Sequence, residues 1–193
     1  MKRIGVLAIQ GDFAEHIAAM NEVEGAEAFA VKTVAQIETL DGLIIPGGES
    51  TTIGKLCERF GLDEAIIKQY EKGMAIWGTC AGLIYMAKDI ADRPEQQRLG
   101  LMDVRVKRNA FGRQVDSFET DLPVKGLEDG ETRAVFIRGP YIESVGEGVE
   151  VLSVYRDKIV AARQGRLLGI AFHPELTDDR RVQRYFLKMV EEE

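Results

Sequence analysis

The chain has 193 residues, of which 45% are hydrophobic and 30% are charged, a profile typical of a globular protein rather than a disordered or fibrous one. Its formal net charge of −7 argues against general binding to nucleic acids or anionic membrane surfaces, which require a positive protein surface. The two cysteines cannot form a disulfide framework, and neither lies in a pattern with metal-ligand spacing.

The length predicts a single domain spanning residues 1–193. No apolar run approaches the length of a membrane span, so no membrane association is expected. The first residues run directly into a strand pattern, with no visible signal peptide, and a cytoplasmic location is therefore predicted.

Strand and helix patterns alternate in the first half of the chain. Residues 4–9 form a continuous apolar run, typical of a strand buried on both faces of a parallel sheet. Asp12 then has the position of a cap for a helix over residues 13–23. Apolar runs at 26–31 and 41–45 predict two more strands, separated by a short helix. This alternation predicts an α/β fold with right-handed crossovers.

The third predicted strand is followed by Pro46-Gly47-Gly48-Glu49-Ser50-Thr51-Thr52 and a helix over residues 53–60. Backbone N–H groups in such a turn lie where open α/β sheets bind ligands, and they can hold a carboxylate or an oxyanion. An ordinary turn with Ser50 or Thr51 as helix cap is the alternative. The phosphate-binding Gly-x-x-x-x-Gly-Lys pattern is absent. Cys57, inside the helix, is interpreted as structural.

A helix predicted over residues 62–72 leads to the motif Gly78-Thr79-Cys80-Ala81-Gly82. An apolar strand at 74–77 precedes this motif and a helix at 83–87 follows it, the arrangement of a nucleophile elbow. The glycines allow strand and helix to approach closely, and the helix N-terminus favours thiolate over thiol. A buried structural cysteine is the alternative interpretation.

The pattern changes in the second half of the chain. The polar stretch 89–98 predicts a surface loop, and alternation at 102–106 and in parts of 115–124 predicts antiparallel strands. The remaining predicted elements are strands at 134–137, 149–155, 159–163 and 167–172 and a helix at 179–190. Together these patterns predict an α/β fold of three layers, with a mostly parallel central sheet flanked by helices and an added antiparallel meander.

The chain has two histidines. His16 lies among charged neighbours on the first helix and is predicted to be a surface residue. His173 follows an apolar strand, and Pro174 biases it toward extended geometry. Because residues two apart in an extended segment project to the same side, Glu175 can hold the imidazole in one tautomer. Since parallel strands end at one edge of a sheet, we expect these residues to converge with Cys80 as a Cys-His-acid triad.

Arg108, Arg113 and Arg138 lie near predicted strand ends. A guanidinium group suits a carboxylate ligand, although a solvated or salt-bridged surface arginine is the alternative for each.

The motifs Gly78-Thr79-Cys80-Ala81-Gly82 and His173-Pro174-Glu175 together resemble those of the class I (triad) glutamine amidotransferases. Further motifs resemble, within that class, the glutaminase subunits of pyridoxal 5′-phosphate synthase. These motifs occupy residues 5–11 (GVLAIQG), 46–52 (PGGESTT), 108–119 (RNAFGRQVDSFE) and 136–140 (FIRGP). The resemblance runs nearly end to end and implies a flavodoxin-like fold.

The resemblance implies a reaction. Cys80 would attack the side-chain amide of glutamine, and His173, oriented by Glu175, would move a proton to the departing ammonia. Water would then hydrolyse the γ-glutamyl thioester to glutamate. The backbone N–H groups of Gly48 and Ala81 would form the oxyanion hole. The resemblance implies neither a metal nor a cofactor.

By position, the resemblance also implies a glutamine pocket lined by Gly48, Glu49, Ser50, Arg108, Ile137 and Arg138. Arg108 is favoured as the partner of the substrate α-carboxylate. Ammonia would pass to a separate (β/α)8-barrel synthase subunit, which builds pyridoxal phosphate from a pentose phosphate and a triose phosphate. Gln10 is expected at the interface with that partner and in its activation switch.

Two other functions compete with this one. A free-standing cysteine hydrolase on the same fold, such as a γ-glutamyl peptidase, would share the elbow. A non-catalytic binding module would keep the cysteine inert. The motif at residues 108–119 favours the glutaminase of a two-component synthase.

Overall fold

The structure is a computed structural model that describes residues 1–111 and 117–192. Arg113, and residues 112–116 of the motif at 108–119, lie outside the described residues. Within the described ranges, no helix combines the length and apolar character needed to cross a membrane.

The first half of the chain alternates strands and helices, as predicted. Its elements are β1 (Lys2–Leu7), α1 (Phe13–Asn21), β2 (Ala26–Val31), α2 (Val34–Ile37), β3 (Gly42–Ile45), α3 (Ser50–Phe60), α4 (Leu62–Glu71), β4 (Ala75–Thr79) and α5 (Ala81–Met86).

The second half is mainly strands. Its elements are β5 (Ala87–Ile90), β6 (Met102–Lys107), β7 (Ser117–Leu122), β8 (Thr132–Ile137), β9 (Tyr141–Val145), β10 (Glu150–Tyr155), β11 (Lys158–Gln164), β12 (Leu167–Ile170), a 3₁₀ turn (Pro174–Leu176) and α6 (Arg181–Glu191).

Among the described residues, ten strands form one sheet in the order β2-β1-β3-β4-β12-β11-β9-β6-β5, with β10 paired to β11. The run from β2 to β12 is parallel throughout. The meander of β10, β11 and β12 is antiparallel, and its last strand joins the parallel run beside β4. The predicted α/β fold class, with its mostly parallel sheet and added meander, is confirmed.

Helices cover both faces of the parallel run. Consecutive residues of a strand point to opposite faces. Trp77 of β4 packs against His16 of α1 and Phe186 of α6. A Cβ atom on the next residue, Gly78, would lie 2.6 Å from the backbone of Gly82 in α5. The sheet therefore lies between α1 and α6 on one face and α5 on the other.

The strands β7 and β8 form a separate antiparallel hairpin. Aromatic rings attach this hairpin to the main sheet: Phe118 contacts Tyr155 of β10 with ring centroids 5.3 Å apart, and Phe136 contacts Phe172 at 5.6 Å. Because β8 ends at Ile137, this packing sets the position of Ile137 and of Arg138 directly after it.

Two predicted helix caps are wrong in detail. Asp12 occupies the N-cap position of α1, but its carboxylate makes no capping hydrogen bond. The helix α3 begins at Ser50 rather than at residue 53, and its cap is Glu49, whose carboxylate accepts from the N–H groups of Thr51 and Thr52. Burial acts to raise the pKa of Glu49, but the hydrogen bonds from Thr52 and Thr51 outweigh it and lower this pKa to about 2. The carboxylate is therefore ionised at neutral pH.

The prediction of a surface loop over residues 89–98 is only partly right. Asp89 and Ile90 belong to β5 and pair with β6. Gln96 is buried.

The helical Cys57 is buried too, and burial raises the pKa of its thiol to about 11, which agrees with a structural role.

We predict that Gly82→Ala destabilises the protein by more than about 3 kcal/mol, because the added Cβ would overlap the carbonyl oxygen of Ile45 and main-chain atoms yield little. Gly61→Ala is the control, since its Cβ would meet no atom within 4 Å and only the left-handed backbone, with φ of 67°, opposes it. That strain costs about 1–2 kcal/mol. Urea unfolding measures both variants, and equal losses would contradict the packing explanation.

Candidate active site

The site is built at the carboxyl edge of three neighbouring strands. In the sheet order, β3, β4 and β12 lie side by side and run parallel. The Gly47-Gly48 loop follows β3, Cys80 follows β4, and His173 follows β12. Sheet topology thus brings together residues that lie far apart in the sequence.

Cys80 is held in an unusual backbone conformation. Its φ of 52° and ψ of −104° lie in a region that residues with a side chain rarely adopt, at a cost of about 1–3 kcal/mol. The Cys80 N–H donates to the carbonyl of Ile170 at 2.8 Å, which fixes the elbow to β12. The thiol faces the carbonyl oxygen of Ile137 at 3.8 Å. Strain at this one residue is what a nucleophile elbow requires.

His173 and Glu175 form a buried pair. The imidazole Nδ1 lies 2.6 Å from Glu175 Oε1, and the exposure of the two residues is 2% and 5%. The His173 N–H donates to the carbonyl of Val135 at 2.8 Å, so the hairpin β7–β8 also positions the histidine. Pro174 begins the 3₁₀ turn that returns Glu175 toward the ring. The structure places these two predicted residues in direct contact.

The charges of this group are coupled. Burial opposes a charge on His173, but the Cys80 thiol and the Glu175 carboxylate outweigh it and raise the pKa of His173 to about 10. The other ring nitrogen, Nε2, is buried and makes no hydrogen bond of ordinary geometry within the described residues. It is therefore available to interact with the Cys80 thiol. Such contacts are commonly long before substrate binds. The raised pKa keeps the His173 ring protonated at neutral pH, beside the Cys80 sulfur.

The prediction that His16 is a surface residue is wrong. It is 1% exposed, lies edge-on to Trp77 with ring centroids 5.1 Å apart, and places Nε2 3.4 Å from Glu175 Oε2. Burial lowers the pKa of His16, so its ring is neutral at neutral pH. Charged neighbours in the sequence suggested exposure. Its spacing from Ala19 and Met20, which share the buried face of α1, was the signal for burial.

The Gly47-Gly48 loop is packed against residues that follow β1. The Asp12 N–H donates to the Gly47 carbonyl at 3.0 Å, and Gln10 Oε1 accepts from the Glu49 N–H at 2.7 Å. A Cβ on Gly48 would overlap Gln10 Oε1, so any larger residue there would have to displace the Gln10 side chain. Gln10 therefore lies behind the loop and contacts it directly.

A cavity of about 300 Å³ opens at this edge of the sheet, a size suited to an amino acid. All six residues predicted for the glutamine pocket line it, together with Cys80, Ala81 and His173. The six are Gly48, Glu49, Ser50, Arg108, Ile137 and Arg138. Three further residues line the cavity although no motif predicted them there: Asp12, Ile84 and Asn109.

Asp12, His173 and Glu175 form a possible metal-binding group within the described residues, with ligand atoms within 4.8 Å of one another. Burial raises the pKa of Asp12. Because Glu175 is hydrogen-bonded to His173 Nδ1, this nitrogen is already occupied. The three residues therefore have the geometry of a hydrogen-bonded His173–Glu175 pair beside the carboxyl group of Asp12, rather than that of a metal site.

Arg108 is fixed by two partners. Its Nε donates to Asp92 Oδ2 at 3.3 Å, and its Nη1 donates to the Gln96 side-chain oxygen at 3.0 Å. Gln96 in turn donates from Nε2 to Ser50 Oγ at 2.8 Å. The sequence does not single out Gln96, because a glutamine in a polar stretch belongs to no motif.

Comparison with known proteins agrees with this geometry. The model of the SNO glutamine amidotransferase family matches residues 6–192. The chain is 60% identical over 190 residues to the pyridoxal 5′-phosphate synthase subunit PdxT of Niallia circulans, and the match covers 98% of each chain. A solved crystal structure of a glutamine amidotransferase matches with a TM-score of 0.93 and 52% identity, covering 98% of this chain and 99% of that one.

A more distant structure, PurLQS from Thermotoga maritima, has a TM-score of 0.73 at 19% identity and covers 97% of this chain and 99% of that one, which shows a shared fold. The resemblance inferred from the motifs is confirmed by the family match and by the near full-length relatives. On these matches, the chain belongs to the SNO glutamine amidotransferase family.

Proposed function

We propose that this glutamine amidotransferase hydrolyses L-glutamine with Cys80 as nucleophile, His173 as proton carrier and Glu175 as the residue that orients the imidazole. One observation carries the proposal. The buried imidazole of His173 lies between the Glu175 carboxylate, which is 2.6 Å from Nδ1, and the Cys80 thiol. Cys80 and His173 both line a cavity of amino-acid size. This is the geometry of a nucleophile, a base and an orienting acid.

The reaction proceeds in two steps. The Cys80 thiolate attacks the carboxamide carbon, and the developing oxyanion is stabilised by the backbone N–H groups of Gly48 and Ala81. The His173 imidazolium gives its proton to the leaving nitrogen, so that ammonia departs and a γ-glutamyl thioester forms. His173 then takes a proton from water, the resulting hydroxide attacks the thioester, and glutamate and the Cys80 thiolate are released.

The cavity provides the contacts for the rest of the substrate. Arg108 is the proposed partner of the α-carboxylate, since a guanidinium group binds this anion well. Glu49 stays ionised because its pKa is about 2, and it supplies negative charge for the α-ammonium group. Ser50, Ile137 and Arg138 complete the lining.

His16 adds support to the triad from behind. Its neutral ring presents Nε2 to the second oxygen of Glu175 at 3.4 Å. The two atoms make no hydrogen bond of ordinary geometry among the described residues, but an Nε2–H dipole at this distance favours the ionised form of Glu175 without adding a charge. Glu175 is thus contacted by one histidine on each oxygen.

The product ammonia passes, in this proposal, to a (β/α)8-barrel synthase subunit that makes pyridoxal 5′-phosphate. The names of the curated relatives support a synthase partner. Gln10 is proposed to lie at that interface and to transmit partner binding to the Gly47-Gly48 loop, because its side chain accepts a hydrogen bond from the Glu49 N–H.

We propose one glutaminase domain over residues 1–193. The cytoplasmic location stays a prediction from the sequence.

We predict that Cys80→Ala lowers glutamine hydrolysis at least about 10³-fold, since the nucleophile is removed. Cys57→Ala is the matched control and is expected to retain activity, because Cys57 lies in the core away from the cavity. Glutamate release is measured with and without the synthase subunit. Hydrolysis by Cys80→Ala would overturn the triad, and full activity without the synthase would favour the free-standing hydrolase.

We predict that Cys80→Ala also lowers the pKa of His173 from about 10, because one of the two groups that raise it is removed while burial still lowers it. The wild-type ring therefore keeps its proton to a higher pH than the variant ring. NMR titration of the imidazole signals measures this, and a His16→Gln variant assigns the two histidines. An unchanged or higher pKa would show that the thiol and ring do not interact.

We predict that His16→Leu lowers kcat about fivefold with little change in KM, since a donor near Glu175 is worth about 1 kcal/mol. His16→Gln, which can keep an N–H group near Oε2, should lose less. Steady-state kinetics on both variants provide the measurement. A rise in KM with unchanged kcat would mean that His16 acts on the pocket and not on the triad.

A further inference from the structure

A chain of hydrogen-bonded polar side chains connects the cavity to the stretch at residues 89–98, and its two members nearest α3 are buried. It runs from Asp92 through Arg108 and Gln96 to Ser50, with donor–acceptor distances of 3.3, 3.0 and 2.8 Å. Gln96 is 8% exposed and Ser50 is 4% exposed. Two of its members, Arg108 and Ser50, line the cavity, while Gln96 lies behind them.

The chemistry of the groups sets the direction of every bond in this chain. Arginine has donors only, so the group of Gln96 that faces Arg108 must be its carbonyl oxygen. The amide NH2 of Gln96 must then face Ser50, whose oxygen accepts the hydrogen bond. The Ser50 proton therefore points away from Gln96.

Two donors are left without an acceptor among the described residues: the Ser50 hydroxyl and Arg108 Nη2. They lie on the two sides of Gln96, on residues that line the cavity. A carboxylate has two oxygens and only accepts hydrogen bonds, so it complements this pair of donors.

We propose that Gln96 is a positioning residue that determines specificity for the substrate α-carboxylate. It does not touch the substrate. It fixes the guanidinium of Arg108 and forces the Ser50 hydroxyl to act as a donor toward the cavity. This inference rests on the proposed function, since it takes glutamine as the occupant and Arg108 as the carboxylate partner.

The substitution Gln96→Glu tests the proposal because it keeps the shape of the side chain and reverses the direction of its hydrogen bond with Ser50. A glutamate accepts from both Arg108 and Ser50, so the Ser50 proton turns away from the cavity and a lone pair faces the carboxylate. We expect KM for L-glutamine to rise about ten- to hundredfold, the worth of a hydrogen bond to a charged group, with kcat changed less than about threefold.

Two comparisons separate this role from simple damage to the pocket. Preference for L-glutamine over L-glutaminamide, whose α-carboxamide is neutral and can donate to Ser50, should fall at least about tenfold in Gln96→Glu. Ser50→Ala should raise KM for L-glutamine by itself. Adding Gln96→Glu to Ser50→Ala should then have a much smaller effect, because the hydroxyl through which Gln96 acts is gone.

Gln97→Glu is the matched control, since it adds the same charge at the next position and Gln97 is not part of the chain of hydrogen bonds. All variants are assayed for glutamine hydrolysis in complex with the synthase subunit. An unchanged KM in Gln96→Glu, an equal loss for both substrates, or additive effects with Ser50→Ala would overturn the inference. If the wild-type protein in complex with the synthase subunit does not hydrolyse glutamine, the proposed function itself is overturned.

Discussion

The site depends on the buried hydrogen bond between His173 Nδ1 and Glu175 Oε1. An ionised carboxylate with 5% exposure is costly unless it is paired, and here the pairing also raises the pKa of the histidine. With Nδ1 occupied, the other ring nitrogen is left for the thiol. His16 Nε2 lies 3.4 Å from the remaining carboxylate oxygen, without a hydrogen bond of ordinary geometry.

Cys80 and the glycine loop reach this pair only because the sheet brings the ends of three strands to one edge. The strands β3, β4 and β12 are neighbours, and each is followed by one part of the proposed catalytic group: the glycine loop, the cysteine and the histidine. The parallel arrangement requires close approach between strand, elbow and helix, which explains Gly78 and Gly82. The strain at Cys80 is borne by this packing and by the hydrogen bond to Ile170.

The antiparallel half of the molecule has a different part in the site. The hairpin β7–β8 supports His173 through the carbonyl of Val135 and brings Ile137 and Arg138 to the cavity. Asp92 and Gln96 lie in the connection between β5 and β6, and they hold Arg108, which directly follows β6 and lines the cavity. Both halves of the chain therefore supply residues to the cavity.

The sequence by itself determined the alternation of strands and helices, the elbow at Cys80 and the pairing of His173 with Glu175. These features are local, since the backbone conformation of a few neighbouring residues decides them. It is restricted by apolar runs, by glycines at a turn and by a proline that limits the preceding residue. Tertiary structure decided the rest. His16 is buried because β4 places Trp77 against α1, and Gln96 is buried because its partners, Ser50 and Arg108, come from separate elements. The cap of α3 is Glu49 because its backbone is extended and the helix already includes Ser50 and Thr51. Polar residues of this kind carry no periodic signal, since their positions depend on contacts between distant segments.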